Sequence, residues 1–205
     1  MSTLAELYAR VATDLGDPAY TIWSTAVLTD HIRDALHRYN RVNPRRQSTT
    51  ITPAANVREH DVSTIPFLRI TACWYPYDAA NPDYPPELIR FEMLDDETLY
   101  TPDIQPDGTY TLRIFYTAAH TIEDLDSATD TTLDAYGESL VCTLASALAG
   151  MERAQYTTGR ITVHAWTASQ LLDWAQARHD AAEQQLTLLA AARALDLSGY
   201  EQWTL

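Results

Sequence analysis

Lysine is absent from this chain: arginine supplies all 14 cationic side chains, against 28 aspartates and glutamates, for a formal net charge of −14. A surface of that sign repels phosphate, which disfavours nucleic-acid binding through backbone neutralisation. Thiols are few. Cys73 and Cys142 cannot make a disulfide framework or a four-cysteine metal site, and both read as small buried hydrophobes. Glycine is scarce at 6 residues, and no GxGxxG, GxxxxGK(S/T) or GxSxG occurs, which removes the common phosphate cradles and the serine-hydrolase elbow. No apolar run approaches the ~20 residues of a membrane-spanning helix. The opening residues lack the basic-then-apolar order of a secretory signal. The expectation is a soluble, intracellular chain with no membrane partner.

Histidine is present at 31, 37, 60, 120, 164 and 179, but in no metal-ligand spacing, and His31 and His37 are six apart and do not share a helix face. Asp95, Asp96 and Glu97, or Glu123 and Asp124, could pair as acid and base as glycosidases require. Adjacent carboxylates on a turn are ordinarily solvated. The expectation is therefore no enzyme, no metal and no cofactor.

What the chain does have is enough apolar content, 46%, to bury a core, and a charge that is concentrated mid-sequence. Residues 61 to 140 carry 16 acids against Arg69, Arg90 and Arg113, whereas residues 1 to 46 carry 5 acids against 6 arginines. Such a stretch is either solvated surface, or a wall that repels a polyanion or mimics one.

Leu4, Leu7, Tyr8, Val11, Ala12 and Leu15 recur at helical spacing up to Gly16, Asp17 and Pro18. A second helix carries Leu28, Ile32, Ala35, Leu36 and Tyr39 on one stripe and ends at Asn43 and Pro44. The period then changes. Residues 48–52, 67–75, 88–93, 98–100 and 110–116 read as four to six strands, mostly antiparallel because the connections are too short for helical crossovers. The stretch 75–86, with Tyr75, Tyr77 and Tyr84 among its prolines, reads as a long exposed loop with a contact to make. Helical spacing returns at Leu133, Tyr136, Leu140, Leu144, Ala147, Leu148 and Met151, with small Ala145, Ala149 and Gly150 permitting close packing. A longer helix runs from about Thr167 to Arg193, with Ala168, Leu171, Leu172, Ala175, Ala182, Leu186 and Leu189 as its stripe. A break at Gly199 leaves Leu197, Tyr200, Trp203 and Leu205 on a tail that docks on the chain's own body or on a partner.

The fold class is thus α+β: a helical bundle of two N-terminal and two C-terminal helices with an inserted, mostly antiparallel β region. The organisation reads as a helical body over 1–46 and 127–193, a β-rich insert over 47–126 containing the 75–86 loop, and a docking tail over 194–205.

Four runs carry a family resemblance: WSTAVLTDHIRDALHRYNRVNP from Trp23, DVSTIP from Asp61, RIFYTAAHTIEDL from Arg113 and ESLVCTLASALA from Glu138. Together they resemble the head-to-tail connector adaptors of tailed bacteriophages, over almost the whole chain. The resemblance implies a structural virion protein at the neck, present in the host cytoplasm during assembly. It implies a homo-oligomeric ring, usually of twelve copies, bound under the portal protein, continuing the DNA channel and seating the next neck or tail protein. It implies portal docking by the C-terminal region, here Leu197, Tyr200, Trp203 and Leu205, and a tailward contact by the loop bearing Tyr75, Tyr77 and Tyr84. The β insert is a departure, since the smallest adaptors are nearly all helical. A conduit must let DNA pass without binding it, so Asp95, Asp96 and Glu97 are the expected channel-facing acids. Arg38, Arg41, Arg45 and Arg46 are expected to pair with acids of an adjacent subunit. An acidic DNA-mimicking inhibitor and, further off, a carboxylate-pair hydrolase are the alternatives.

Overall fold

Thr3 opens the first helix, α1 (Leu4–Asp14): its hydroxyl accepts from the Glu6 N–H while the Glu6 carboxylate accepts from the Thr3 N–H, a reciprocal cap that satisfies two amides with no helical partner. The computed structural model describes residues 2–78, 80, 87–157 and 168–201, with 195–201 as backbone only. Helix α2 (Thr25–Val42) is capped by Ser24 and buries the whole expected stripe of Leu28, Ile32, Ala35, Leu36 and Tyr39. It stops at Asn43 because Pro44 disfavours a helical residue before it. Helix α3 (Ala135–Thr157) and helix α4 (Ala168–Glu201) complete a bundle with one apolar core. Leu140, Val141, Leu144, Ala145 and Ala149 of α3 lie inside that core, while Tyr136, expected on the same stripe, is exposed. Gly150 is where α3 and α4 approach each other: a Cβ there would lie 3.0 Å from the Ala175 Cβ and 3.2 Å from the Trp174 ring.

Two compact units divide the chain, a helical unit of Met1–Asn43 with His120–Leu205 and a β unit of Pro44–Ala119. Residues 120–126 go with the helices because Ile122 and Leu125 are buried in their core and the Leu4 N–H donates to the Glu123 carbonyl. Asp126 adopts a left-handed φ of 52°, a conformation that costs roughly 1 kcal/mol for a residue other than glycine. Arg33 holds it there through a two-pronged contact of 2.8 to 3.1 Å.

The β unit contains two antiparallel sheets. The first has the order β1-β7-β3-β4, from β1 (Arg45–Ile51), β7 (Thr111–Ala118), β3 (Arg69–Tyr77) and β4 (Leu88–Ile89); the second has the order β2-β6-β5, from β2 (Glu59–Asp61), β6 (Thr98–Tyr100) and β5 (Glu92–Met93). Strand β7 alternates as a half-buried strand should, with Leu112, Ile114, Tyr116 and Ala118 inward. Those side chains share one apolar cluster with Ile70, Cys73 and Tyr75 of β3 and with Val62 and Leu99, so the second sheet closes over the inner face of the first.

Three sequence expectations are corrected here. Residues 88–93 are not one strand: β4 pairs with β3 while β5 pairs with β6, and half-buried Phe91 turns into the shared core between them. Strand β3 does not stop where the prolines begin but continues to Tyr77, because Pro76 falls where the register shifts between Trp74 and Tyr77, and a bulge spares the N–H that proline lacks. Helix α4 does not break at Gly199 but runs on to Glu201, so residues 194–201 are helix rather than extended tail.

Candidate functional site

The arginines expected to act as one group divide between the two units. Arg38, on α2, already has partners within the chain: its Nη1 lies 3.2 Å from the Glu183 carboxylate and 3.2 Å from His179 Nε2, both on α4. Arg41 is exposed on the same helix. Arg45 and Arg46 open β1, where alternation sends them to opposite faces. Arg45 pairs with Ala118 on the core side and Arg46 with Thr117 on the outer side.

Asp95, Asp96 and Glu97 form the turn between β5 and β6. The Asp95 carboxylate accepts from the Glu97 N–H at 2.8 Å and from the Thr98 hydroxyl at 3.1 Å, and these bonds hold it below the ordinary carboxylate range. Asp95 is thus the residue that shapes the turn. Asp96 and Glu97 are exposed beside Pro66, Phe67 and Leu68 at a shallow cleft.

Two of the three tyrosines expected on one loop, Tyr75 and Tyr77, lie on strand β3. Both are strand residues, which corrects the expectation of loop conformation there; Tyr84 lies outside the described residues. Tyr75 is buried and its hydroxyl meets the Asp107 carboxylate at 3.3 Å, bracing the turn at Gly108 (φ 82°). Of the docking residues, Leu197 and Tyr200 are on the last turns of α4, described as backbone only, while Trp203 and Leu205 lie outside the described residues.

Tyr77 instead belongs to a cluster on the outer face of the four-stranded sheet. The Arg113 guanidinium lies 4.9 Å from the Tyr77 ring centre, 5.1 Å from that of Phe115 and 6.0 Å from that of Trp74. It donates to the Tyr77 hydroxyl at 2.9 Å and to the Ser48 hydroxyl at 3.2 Å. Trp74 and Phe115 meet edge to face with ring centres 4.6 Å apart. Arg46, Arg69, Thr71, Ser48 and Thr50 surround this cluster and are exposed, as is Leu88 of β4 beside Trp74. An arginine held among aromatic rings on a solvent-facing sheet is the composition of an interface centre. In the sequence, alternation over 110–116 puts Arg113 and Phe115 on one face, but nothing local reveals that Trp74 and Tyr77 register against them.

Both cysteines behave as apolar residues. Burial pushes the Cys73 thiol up to about 12 and the Cys142 thiol up to about 11, so neither is a thiolate at neutral pH. Among the described residues, no three histidine, cysteine or acidic side chains gather as a metal site would require, and no helix is long and apolar enough to cross a membrane.

No protein-family model matches the chain, and no curated protein matches it. Among solved structures it is similar to chains of a gene transfer agent particle. One comes from the virion of the native particle (16% identity, TM-score 0.32, covering 83% of this chain and 86% of that one). A second comes from the neck of the empty particle computed with C6 symmetry (16%, 0.31, 84% and 87%). A third comes from the neck of the native particle computed with C12 symmetry (16%, 0.29, 85% and 92%). TM-scores near 0.3 are below the level at which two chains share a fold, so these likenesses establish neither fold nor role for this one.

Proposed function

We propose that this chain is a structural neck protein of a tailed-phage-like particle: a head-to-tail adaptor that forms a ring, twelvefold in the simplest case, beneath the portal protein. It continues the DNA channel, seats the next neck or tail protein, and carries out no catalysis. The observation that carries this reading is the coincidence of two things. The runs that resemble connector adaptors, from Trp23 and from Glu138, are those that form α2 and α3, whose side chains make up most of the helical core. The run from Arg113 is the return from the β unit into that core, through Ile122 and Leu125.

The charge supports the same role. Asp96 and Glu97 are exposed on a turn whose shape Asp95 holds, which suits carboxylates that keep a passing duplex from adhering. The end of α4 and the residues after it are the proposed portal-docking segment, and the stretch around Tyr84 the proposed tailward contact. Arg41, Arg45 and Arg46 are the proposed partners of acids on an adjacent subunit. The acidic inhibitor reading asks for carboxylates spread over an elongated surface; here the long elements at both ends are apolar-striped helices.

Cryo-electron microscopy of the particle, or of this protein mixed with its genomic neighbours, tests the reading. The expected result is a symmetric ring of this chain at a capsid vertex between portal and tail. A chain that stays alone, or that is captured only with a basic host factor, overturns it.

A further inference from the structure

The strands of the β unit are divided by charge. The strands of the four-stranded sheet contain four arginines, Arg45, Arg46, Arg69 and Arg113, and no acid. Those of the three-stranded sheet contain Glu59, Asp61 and Glu92, and no arginine. The two sheets sandwich one apolar cluster, so their outer faces look in opposite directions. One side is cationic and aromatic, around Arg69, Arg113, Trp74 and Phe115. The other presents Glu59, Asp61 and Glu92, all exposed, with Arg58 and Arg90 beside the strands and Arg90 already paired with Asp103 at 2.6 Å.

We infer that the outer face of the four-stranded sheet is a docking surface for a second copy of this chain, whose three-stranded sheet presents Glu59, Asp61 and Glu92 to it. The two surfaces differ, so the contact is heterologous and repeats from copy to copy, which is the geometry that closes a ring. The inference rests on the ring reading above and deepens it by naming the faces that meet.

Three features favour this occupant. Opposite charges across an interface orient the partners and reject the reversed arrangement. Arg113 is already fixed by Tyr77 and Ser48, so docking immobilises little that was free beforehand. Half-buried Trp74 and Phe115 supply apolar area next to the charge, which isolated surface ion pairs lack. A nucleic acid is the other anionic candidate. The β unit as a whole still carries more acids than arginines, so its long-range field repels a polyanion while its cationic face accepts a few carboxylates at close range.

The test uses the full chain with a photo-cross-linking phenylalanine at Thr71, in a mixture of isotopically light and heavy protein so that links between copies are distinguished from links within one. The expected result is inter-copy cross-links to the peptides bearing Glu59, Asp61 or Glu92. Arg69→Glu or Glu92→Arg alone lowers their yield about tenfold, and the double swap restores it. Both positions are exposed, and each variant is checked for wild-type thermal unfolding. Inter-copy links that map elsewhere, or none, overturn the inference, as does an oligonucleotide that blocks the cross-link and loses affinity on Arg69→Glu. A ring seen in the particle but joined through other faces overturns this contact and leaves the adaptor reading standing. The contact seen in a chain that never joins a particle does the reverse.

Discussion

Asp17 is only 4% exposed, yet it stays ionised. Burial works against its charge, but the Thr21 hydroxyl and the N–H groups of Trp23, Ile22 and Thr21, at 2.6 to 3.0 Å, outweigh that cost and hold its pKa down to about 2. The carboxylate ties the end of α1 to the turn that starts α2. Its contribution, about 2 kcal/mol, is fully present above pH ~4, the unfolded value, and is lost as the pH falls towards 2. Asp17→Ala should lower the free energy of urea unfolding at neutral pH by about 2 to 3 kcal/mol and flatten the loss of stability below pH ~4. His60 has the opposite chemistry and the same sign. Buried against the Thr101 hydroxyl at 3.0 Å, its imidazole is pushed below 6.5, so the unfolded chain takes up the proton first. Stability from this site is complete above pH ~6.5 and declines as the pH falls below it; the urea midpoint should drop between about pH 7.5 and about pH 5.5, and drop less in His60→Gln. In the sequence, Gly16, Asp17 and Pro18 are legible as a helix stop, but the carboxylate's partners are legible only once the chain has turned back on it. His60, in a three-residue strand of two acids and a histidine, gives no sign of being inside.

The helices were the legible elements, and the reason is local. The stripes of α1 and α2 repeat at a fixed spacing that depends on no distant partner, and the small residues of α3 signal close packing by their size alone. Gly150 meets that expectation against Ala175 and Trp174. Gly150→Leu should destabilise the chain by roughly 1 to 3 kcal/mol through forced separation of α3 from α4. Gly150→Ala should fall near neutral in thermal unfolding, because a helix-propensity gain of about 1 kcal/mol opposes a tight contact. Strand limits were less legible because pairing sets them. Leu88 to Met93 read as one strand until Phe91 turned inward and split it between sheets, and β3 passes Pro76 only because its partner's register slips there. The Arg113 cluster was hidden for the same reason: Ser48, Trp74, Tyr77 and Phe115 come from three strands spread over 68 residues of sequence.

At the scale of the molecule, overall charge was legible and its distribution was not. A count along the sequence places the acids mid-chain, whereas strand pairing sorts the β unit into one sheet with arginines and another with acids. Arg45→Glu with Arg46→Glu inverts the charge at the start of β1, an edge strand of the first sheet. On the adaptor reading this pair should lower ring formation about tenfold, scored as particles with complete necks by electron microscopy, and Arg46→Glu alone, on the outer face, should lower it while leaving the unfolding midpoint near wild type. Normal necks in that variant would remove β1 from the subunit contact. The division into units also sets an order of events at the ribosome. The β unit is one continuous stretch, Pro44–Ala119, whereas the helical unit is assembled from both sides of it. Helices α1 and α2 therefore emerge first but have no α3 to cover Leu28, Ile32 and Leu36 until roughly a hundred residues later, on the order of ten seconds of synthesis. During that interval the sheets can close while the N-terminal helices still expose their apolar stripes, so the segment translated first is among the last to be buried.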